Sequence, residues 1–567
     1  MSETVMANPT KLITDNLAIW TEAHTTKSSA GRGTSSKLNL HGIKKLRELI
    51  LELAVRGKLV PQDPNDEPAS VLLGRIAAEK ARLAAEGKIK KQRPMPPIND
   101  DEKPFELPVG WEWCRLGDIT QINPRNDVAD DIEASFVPMP LITTEYDGRH
   151  NQEAKLWGEI KKGYTHFSDG DIAIAKITPC FENSKAAIFS GLSNGVGAGT
   201  TELHVARPYG DTFNPYFVLL YLKAPQFLLV GETKMTGSAG QKRVPKDFFT
   251  GNPLPLPPEA EQHRIVAKVK ELMALCDQLE QQQTDTIATH QTLVETLLTT
   301  LTRSTTPAET AKNWARIAEH FDTLFTTEHS IDQLKQTIVQ LAVMGKLVPQ
   351  DPNDEPAAVL LERIAAEKAR LVAEKKIKKQ KPLPPVSDDE KPFALPVGWT
   401  FIRFGDVYEM LYGDNLPQQK RSNTGEYPVY GSNGIVGTHN EAVILQPCII
   451  IGRKGSAGAL NLCKQFGCWV TDVAYSVVPP KSVDLEYSFL MFHTLGLDSL
   501  GKGIKPGLNR NEASVLILAL PPKIEQQRIV TRVNELMTLC DHLKAKIQQS
   551  KQTNLHLADT VVERALG

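Results

Sequence analysis

Arginine, lysine, asparagine and glutamine gather in five short stretches of this 567-residue chain. They are Lys176, Asn183 and Lys185; Gln241, Lys242 and Arg243; Lys420 and Arg421; Arg453 and Lys454; and Lys505, Asn509, Arg510 and Asn511. Cations of this kind neutralise phosphates, and forked or amide-bearing side chains reach base edges in the grooves of a duplex. Glycines beside them, as in Gly452-Arg-Lys-Gly-Ser456 and Thr236-Gly-Ser-Ala-Gly-Gln-Lys-Arg243, permit close backbone approach. Taken singly, each stretch also fits a solvated loop charge. Nucleic acid is favoured because Gln241–Arg243 and Lys505–Asn511 occupy corresponding places in two halves of the chain, shortly before a proline-rich segment.

Catalytic chemistry is not legible. Gly195-Val-Gly-Ala-Gly199 lacks the strand–loop–helix setting and the following acidic residue of a dinucleotide loop. Gly452 to Gly458 has a lysine near a serine, but not in the order that cradles phosphate and magnesium. Pro179-Cys180 and Pro447-Cys448 share only a dipeptide with cytosine methyltransferases, and read better as buried thiols. Cys463 and Cys468 lack a second pair at zinc-finger spacing. No metal site and no catalytic residue is expected on this chain.

The elements that position these loops are written twice. Gly57-Lys-Leu-Val-Pro-Gln-Asp-Pro-Asn-Asp-Glu-Pro-Ala69 recurs letter for letter as Gly345 to Ala357. Leu107-Pro-Val-Gly-Trp111 returns as Leu395 to Trp399, and Glu261-Gln-His-Arg-Ile-Val266 is echoed by Glu525-Gln-Gln-Arg-Ile-Val530. The last pair has a smaller offset, so segments of unequal length lie between the copies. In sequence those two inserts do not resemble each other closely. Ile43, Leu46, Ile50 and Leu53, with their copies Ile331, Leu334, Ile338 and Leu341, predict a helix ended by Gly57 or Gly345. A second helix is expected from about Ala69 to Lys91, with a basic end, stopped by Pro94, Pro96 and Pro97. Within the inserts, Asp171–Ile177, Ala186–Phe189, Glu202–Ala206, Ala442–Gly452 and Val470–Val478 read as strands, and Pro215–Leu222 and Leu485–Leu495 as helices.

After each insert comes an a/d stripe. Ile265, Val269, Leu272, Cys276 and Leu279 step by four and three, as do Ile529, Val533, Leu536, Cys540, Leu543 and Ile547. The spacing fits a long helix packed on its own domain. Its near-identical recurrence favours the two stripes pairing with each other, antiparallel, as a coiled coil of roughly 60 Å. Composition bounds the rest. A chain this long needs several cores, and 41% hydrophobic residues fit folded domains. Net charge is −2, so bulk attraction alone cannot drive nucleic-acid binding. Residues 1–37, rich in Ser and Thr, read as a loose tail around a short helical stretch near Leu17–Trp20. Without a membrane-length apolar run or a signal-peptide core, a cytoplasmic protein with reduced thiols is expected.

These residues resemble the specificity subunit of type I restriction–modification systems, most closely the IB subfamily, from about residue 38 to the end. The resemblance rests on the duplicated Gly-Lys-Leu-Val-Pro-Gln-Asp block, on Leu-Pro-X-Gly-Trp before each insert, and on Pro-Pro-X-X-Glu-Gln-X-Arg-Ile after it (Pro257–Ile265, Pro521–Ile529). Asp169 to Cys180, Tyr427 to Gly434, Gly452 to Ser456 and Pro506 to Arg510 are similar to recurring recognition-domain sequences. The resemblance implies an α+β multidomain fold, with two mixed α/β target recognition domains separated by an antiparallel pair of long helices. The expected segments are a tail (1–37), a conserved helical repeat (38–106), a recognition domain (107–258), a spacer helix (259–304), a second repeat (305–394), a second recognition domain (395–522) and a spacer helix (523–567). It also implies a non-catalytic subunit that reads a split, asymmetric DNA site, one domain per half. Two modification subunits would methylate adenine with S-adenosylmethionine, and two restriction subunits would use ATP and magnesium. The rivals are a coiled-coil scaffold with protein-binding inserts and a self-sufficient DNA methyltransferase.

Overall fold

The apolar stripe at Ile43, Leu46, Leu49, Ile50 and Leu53 forms the buried face of helix α1, His41–Val55. The computed structural model describes residues 9–27, 37–91, 93–238, 240–375, 381–422, 424–501 and 507–566. They form two compact units, one of Met1–Thr286 with Ser550–Gly567, the other of Ile287–Gln549. Among the described residues, no helix is long and apolar enough to cross a membrane.

In the first unit α1 turns at Gly57, whose φ is +66°. A Cβ there would lie 2.4 Å from Pro108 Cγ and 2.9 Å from Trp111 Cζ2, so only glycine lets the turn meet the lead-in to the insert. Helix α2 spans Ala69–Ala85 and ends six residues before the expected Lys91. Gly87, with φ +71°, donates to the Ala84 carbonyl and Lys88 to that of Leu83. A C-terminal glycine therefore closes the helix before the prolines are reached. Those prolines instead form a strap held by Arg115, which donates to the Pro96 and Pro97 carbonyls and pairs with Glu102. The amino-terminal segment corrects an expectation. Leu17–Glu22 is the short helix expected there, but Pro9–Asp15 is helical too, and Ile13, Trp20 and Ala23 lie in the core with α1. Leu12, Ile13, Ile19 and Trp20 carried too short a pattern for the sequence to separate this packing from a loose tail.

The first insert opens and closes on one antiparallel pair, Glu112–Arg115 with Pro253–Leu256. Between them is a sheet of β1 (Thr120–Ile122), β2 (Ile172–Ala175), β3 (Ala186–Ile188) and β4 (Leu203–Pro208), ordered β1-β4-β2-β3. A second sheet runs Glu153–Leu156, Glu133–Val137, Val196–Gly199, Thr165–Ser168, with Val196–Gly199 parallel to Glu133–Val137. Gly197 and Gly199 serve that pairing. Added Cβ atoms would strike Phe167, the Ser135 carbonyl and the Val137 carbonyl. Helix Pro215–Lys223 covers the insert's core.

The first spacer helix, α3, spans Glu259–Arg303. In the second unit α4 (Glu328–Val343) and α5 (Ala357–Ala373) repeat α1 and α2. Gly345 repeats the turn, with φ +69° and a virtual Cβ 2.5 Å from Pro396 Cγ. The second insert uses the same plan. Thr400–Arg403 pairs with Ile517–Leu520, and β5 (Leu411–Tyr412), β6 (Cys448–Gly452), β7 (Leu460–Cys463) and β8 (Ala474–Val477) are ordered β5-β8-β6-β7. Tyr427–Gly431 pairs antiparallel with Gly434–His439 and parallel with Trp469–Val470. Inserts that differ in sequence thus share one strand order. Cys448, Cys463 and Cys468 are buried here as core thiols.

The second spacer helix, α6, spans Lys523–Leu566. Helix α3 begins in the first unit and ends in the second, and α6 runs the other way. The stripe expected to be a mutual coiled-coil seam is divided between two cores. Ile265, Val269, Leu272, Cys276 and Leu279 share a core with α1 and with Leu555, Ala558, Val561 and Val562 near the end of α6. Ile529, Val533 and Cys540, with the partly buried Leu536, Leu543 and Ile547, share another with α4 and with Val294, Leu298 and Leu301 near the end of α3. Arg47 donates to Asp277 and Glu280, and Lys544 to Asp332, tying each spacer helix to its own repeat. The a/d spacing read correctly as a buried stripe. Spacing alone could not say which helix covers it, because α1 and α4 offer apolar faces of the same period.

Candidate DNA interface

Each insert is held by the same joint, built from the duplicated motifs. Trp111 Nε1 donates to Glu261 at 2.9 Å, and Gln62 of the Gly-Lys-Leu-Val-Pro-Gln-Asp block donates to the same carboxylate at 3.2 Å. In the second copy Trp399 donates to Glu525 at 2.9 Å and Gln350 at 3.1 Å. Burial raises the pKa of both glutamates above the ordinary value. The neighbouring Gln262 accepts from Asn214 N–H and donates to the Pro257 carbonyl; Gln526 does the same with Asp484 and Pro521. Arg264 pairs with Asp66, and Arg528 with Asp354. The lead-in, the exit and the repeat are thereby locked together around buried, satisfied polar groups, as a rigid mount for a binding head requires.

On this mount the first insert brings its two candidate loops together. Lys176 follows β2, and its carbonyl accepts from Val244 N–H at 2.8 Å. Thr178 N–H donates to the Lys242 carbonyl at 3.0 Å. Lys176, Lys242 and Arg243 are therefore neighbours. Lys242, Gln241 and Asn183 are exposed. Lys185 donates to the Met139 carbonyl at 3.0 Å, which makes it a loop anchor. Arg243 donates two bonds to Glu202, at 2.8 and 2.9 Å, and this pairing lowers the glutamate's pKa. Behind the loops His204 is buried, donates through Nε2 to the Val244 carbonyl, and has its pKa pushed down to about 4 by burial. Lys223, also buried, donates to the Ser184 carbonyl at 2.8 Å, and burial pushes its pKa down to about 7.

The second insert makes the equivalent junction. Arg453 follows β6, as Lys176 follows β2, and its carbonyl accepts from Leu508 N–H at 2.9 Å. Lys454 forms a backbone bridge with Gly507 and is exposed. Asn509 caps the short helix Arg510–Ser514 by accepting from Asn511 N–H, so its side-chain oxygen is committed. Asn511 is exposed, and Lys505 lies outside the described residues. Lys420 is exposed on the turn Gln418–Lys420, while Arg421 donates to the Leu416 and Val436 carbonyls. Sequence reasoning missed Tyr412. Its half-exposed ring lies 5.1 Å from the Arg453 guanidinium and 5.0 Å from that of Arg510. Leu411-Tyr412 matches no motif in the sequence, and only the structure shows the pair exposed on a strand.

Two heads of one fold, each presenting basic and amide side chains on loops stitched to a duplicated mount, define a two-headed binding protein. A family model for the type I restriction modification DNA specificity domain matches residues 108–289 and 396–550. The chain is 53% identical to the EcoAI type I restriction enzyme specificity subunit of Escherichia coli, over 98% of this chain and 99% of that one. It is 52% identical to the corresponding EcoEI subunit of Escherichia coli, with the same coverage. A solved chain from work on complex assembly and conformational transition of the type I R-M system shares the fold, with a TM-score of 0.50 and 18% identity over 82% of this chain and 99% of that one. The chain belongs to the family of type I restriction–modification specificity subunits.

Proposed function

We propose that this chain reads DNA for a type I restriction–modification complex, with each recognition domain reading one half of a split, asymmetric site. The observation that carries this is the repeated junction. One fold places Lys176 beside Lys242 and Arg243 in the first head, and Arg453 beside Asn509 and Arg510 in the second. The mounts are alike and the loop side chains differ, as two different half-sites require. Catalysis belongs to the partners: modification subunits methylate adenine using S-adenosylmethionine, and restriction subunits use ATP and magnesium. The subunit is the non-catalytic, reading component. Two copies of the modification subunit are supported by a surface presented twice, where Val109 is 95% and Val397 is 91% exposed at identical motifs. The spacer helices, of 45 and 44 residues, serve as the ruler for the unread base pairs.

The test is to exchange residues 107–258 for the corresponding domain of another specificity subunit, express the chimera with its partners, and sequence the methylome. One half of the methylated site should change while the other stays. A site changed in both halves, or in neither, overturns the reading. Methyl transfer by the purified chain alone would instead favour a self-sufficient methyltransferase.

A further inference from the structure

Within the second head, Arg453 and Arg510 come from segments far apart in sequence and meet on one tyrosine. Tyr412 is paired in register with Tyr475 across β5 and β8, and the rings are 5.0 Å apart. The Arg453 guanidinium lies 5.1 Å from the Tyr412 ring centre and 5.9 Å from that of Tyr475; Arg510 lies 5.0 Å from Tyr412. Among the described residues, no carboxylate pairs with either arginine. The Arg453 Nε is buried without a hydrogen-bond partner. The Arg453 carbonyl is fixed by Leu508 N–H, and Tyr475 Oη donates to the Leu508 carbonyl at 3.0 Å, so ring, backbone and guanidinium are tied together.

We propose that Tyr412 is the positioning residue of the second recognition domain, holding Arg453 as the reader of a guanine, with Arg510 on the same ring. The proposal rests on the DNA-reading function above. A planar fork held by stacking loses little freedom on making two parallel bonds, and guanine O6 and N7 are the acceptor pair that matches it in the major groove. A phosphate contact needs only charge and not a fixed plane. The first head lacks this device. The equivalent position is Lys176, a point charge, and its nearby Arg243 is occupied by Glu202. The two heads therefore differ in how they read as well as in what they read.

The experiment uses the full chain assembled with its modification subunits, methylating oligonucleotides in which each G·C pair of the second half-site is replaced in turn, once by 7-deazaguanine. Arg453→Ala should relax discrimination at one G·C pair by about 5- to 150-fold, with the first half-site read as before. Arg453→Lys should restore it only in part, because the ammonium can reach O6 and N7 but lacks the planar fork that the tyrosine ring orients. Tyr412→Phe should keep discrimination, and Tyr412→Leu should lose it at the same pair. A second half-site without G·C overturns the proposal. So does an Arg453→Ala chain that loses binding equally on all sequences, with a salt slope shallower by about one, since that marks a phosphate contact. Unchanged discrimination in Tyr412→Leu removes the positioning role. If Tyr412→Leu does not fold, the Arg453 pair of variants still decides whether a guanine is read. Failure here leaves the domain-exchange result standing, so the two readings are separable.

Discussion

Replacing Trp111 by Phe should weaken the first head's mount and leave the second intact. Trp111 is 5% and Glu261 1% exposed, and the indole N–H donates to the carboxylate at 2.9 Å. A hydrogen bond to a charged group contributes about 1.5–3 kcal/mol. Gln62 still reaches the carboxylate, so the charge is not left wholly unpartnered. The phenyl ring keeps the edge contact with Phe217, and the vacated half of the indole adds a cavity cost. The sum is about 2–4 kcal/mol. Trp399→Phe should cost a similar amount in the second unit, and the two costs should add because the joints share no residue. Calorimetry would give the cost, and hydrogen exchange would place it at Leu107–Trp111 and Glu259–Arg264 in one variant and at their copies in the other. The pH dependence gives a second reading. Burial raises Glu261's folded pKa, so its stabilising contribution is complete below the ordinary glutamate value and is lost as pH rises through the raised folded value. Glu261→Gln should remove that dependence. The mount is refuted if Trp111→Phe costs less than about 0.5 kcal/mol, or if its exchange signature appears in the second unit.

Glu202→Gln releases Arg243, and the salt dependence of DNA binding should steepen by about 0.9 in log–log slope if the freed arginine finds a phosphate. A selective loss on the cognate site would instead show that Glu202 itself contacts a base. Gly57→Ala and Gly345→Ala each force a side chain into the left-handed region against a proline, costing at least about 1–2 kcal/mol; thermal melts that match the parent would refute the tight turn. His204 stays neutral when folded, with a pKa of about 4 against an ordinary 6.5. The unfolded chain takes up a proton first, so stability should fall from pH 6.5 toward 4 by up to about 3 kcal/mol and level off below. His204→Gln should flatten that slope in pH-dependent denaturation.

The mount was legible because it is written twice. Gly57, Trp111 and Glu261 have counterparts at Gly345, Trp399 and Glu525, and coincidence does not copy a motif with its partners. Three things were not legible, each for a physical reason. Trp20's burial depends on α1 covering it, and nothing near Trp20 in sequence announces that. The common strand order of the inserts is hidden because β2 reads Ile-Ala-Ile-Ala and β6 reads Cys-Ile-Ile-Ile-Gly. A buried strand accepts any apolar residue of suitable volume. The stripe on α3 gave the right face but only part of what covers it, α1 as well as the end of α6, since periodicity reports burial and not identity.

The candidate loops show why base readers resist prediction in this architecture. Lys176 is fastened by its own carbonyl to Val244, and Arg453 by its own to Leu508. The junction is made by backbone atoms, so the side chain it carries is free to differ without undoing the fold. Sequence therefore marks the mount strongly and the reader weakly. What distinguishes one candidate cation from another is its surroundings. Lys185 is spent on a carbonyl and Arg243 on a carboxylate, while Arg453 and Arg510 lie on the face of a tyrosine that no motif singled out. Of the stretches first chosen by type and spacing, the two that carry Arg453 and Arg510 hold their arginines ordered yet uncompensated, as the proposed guanine reading requires.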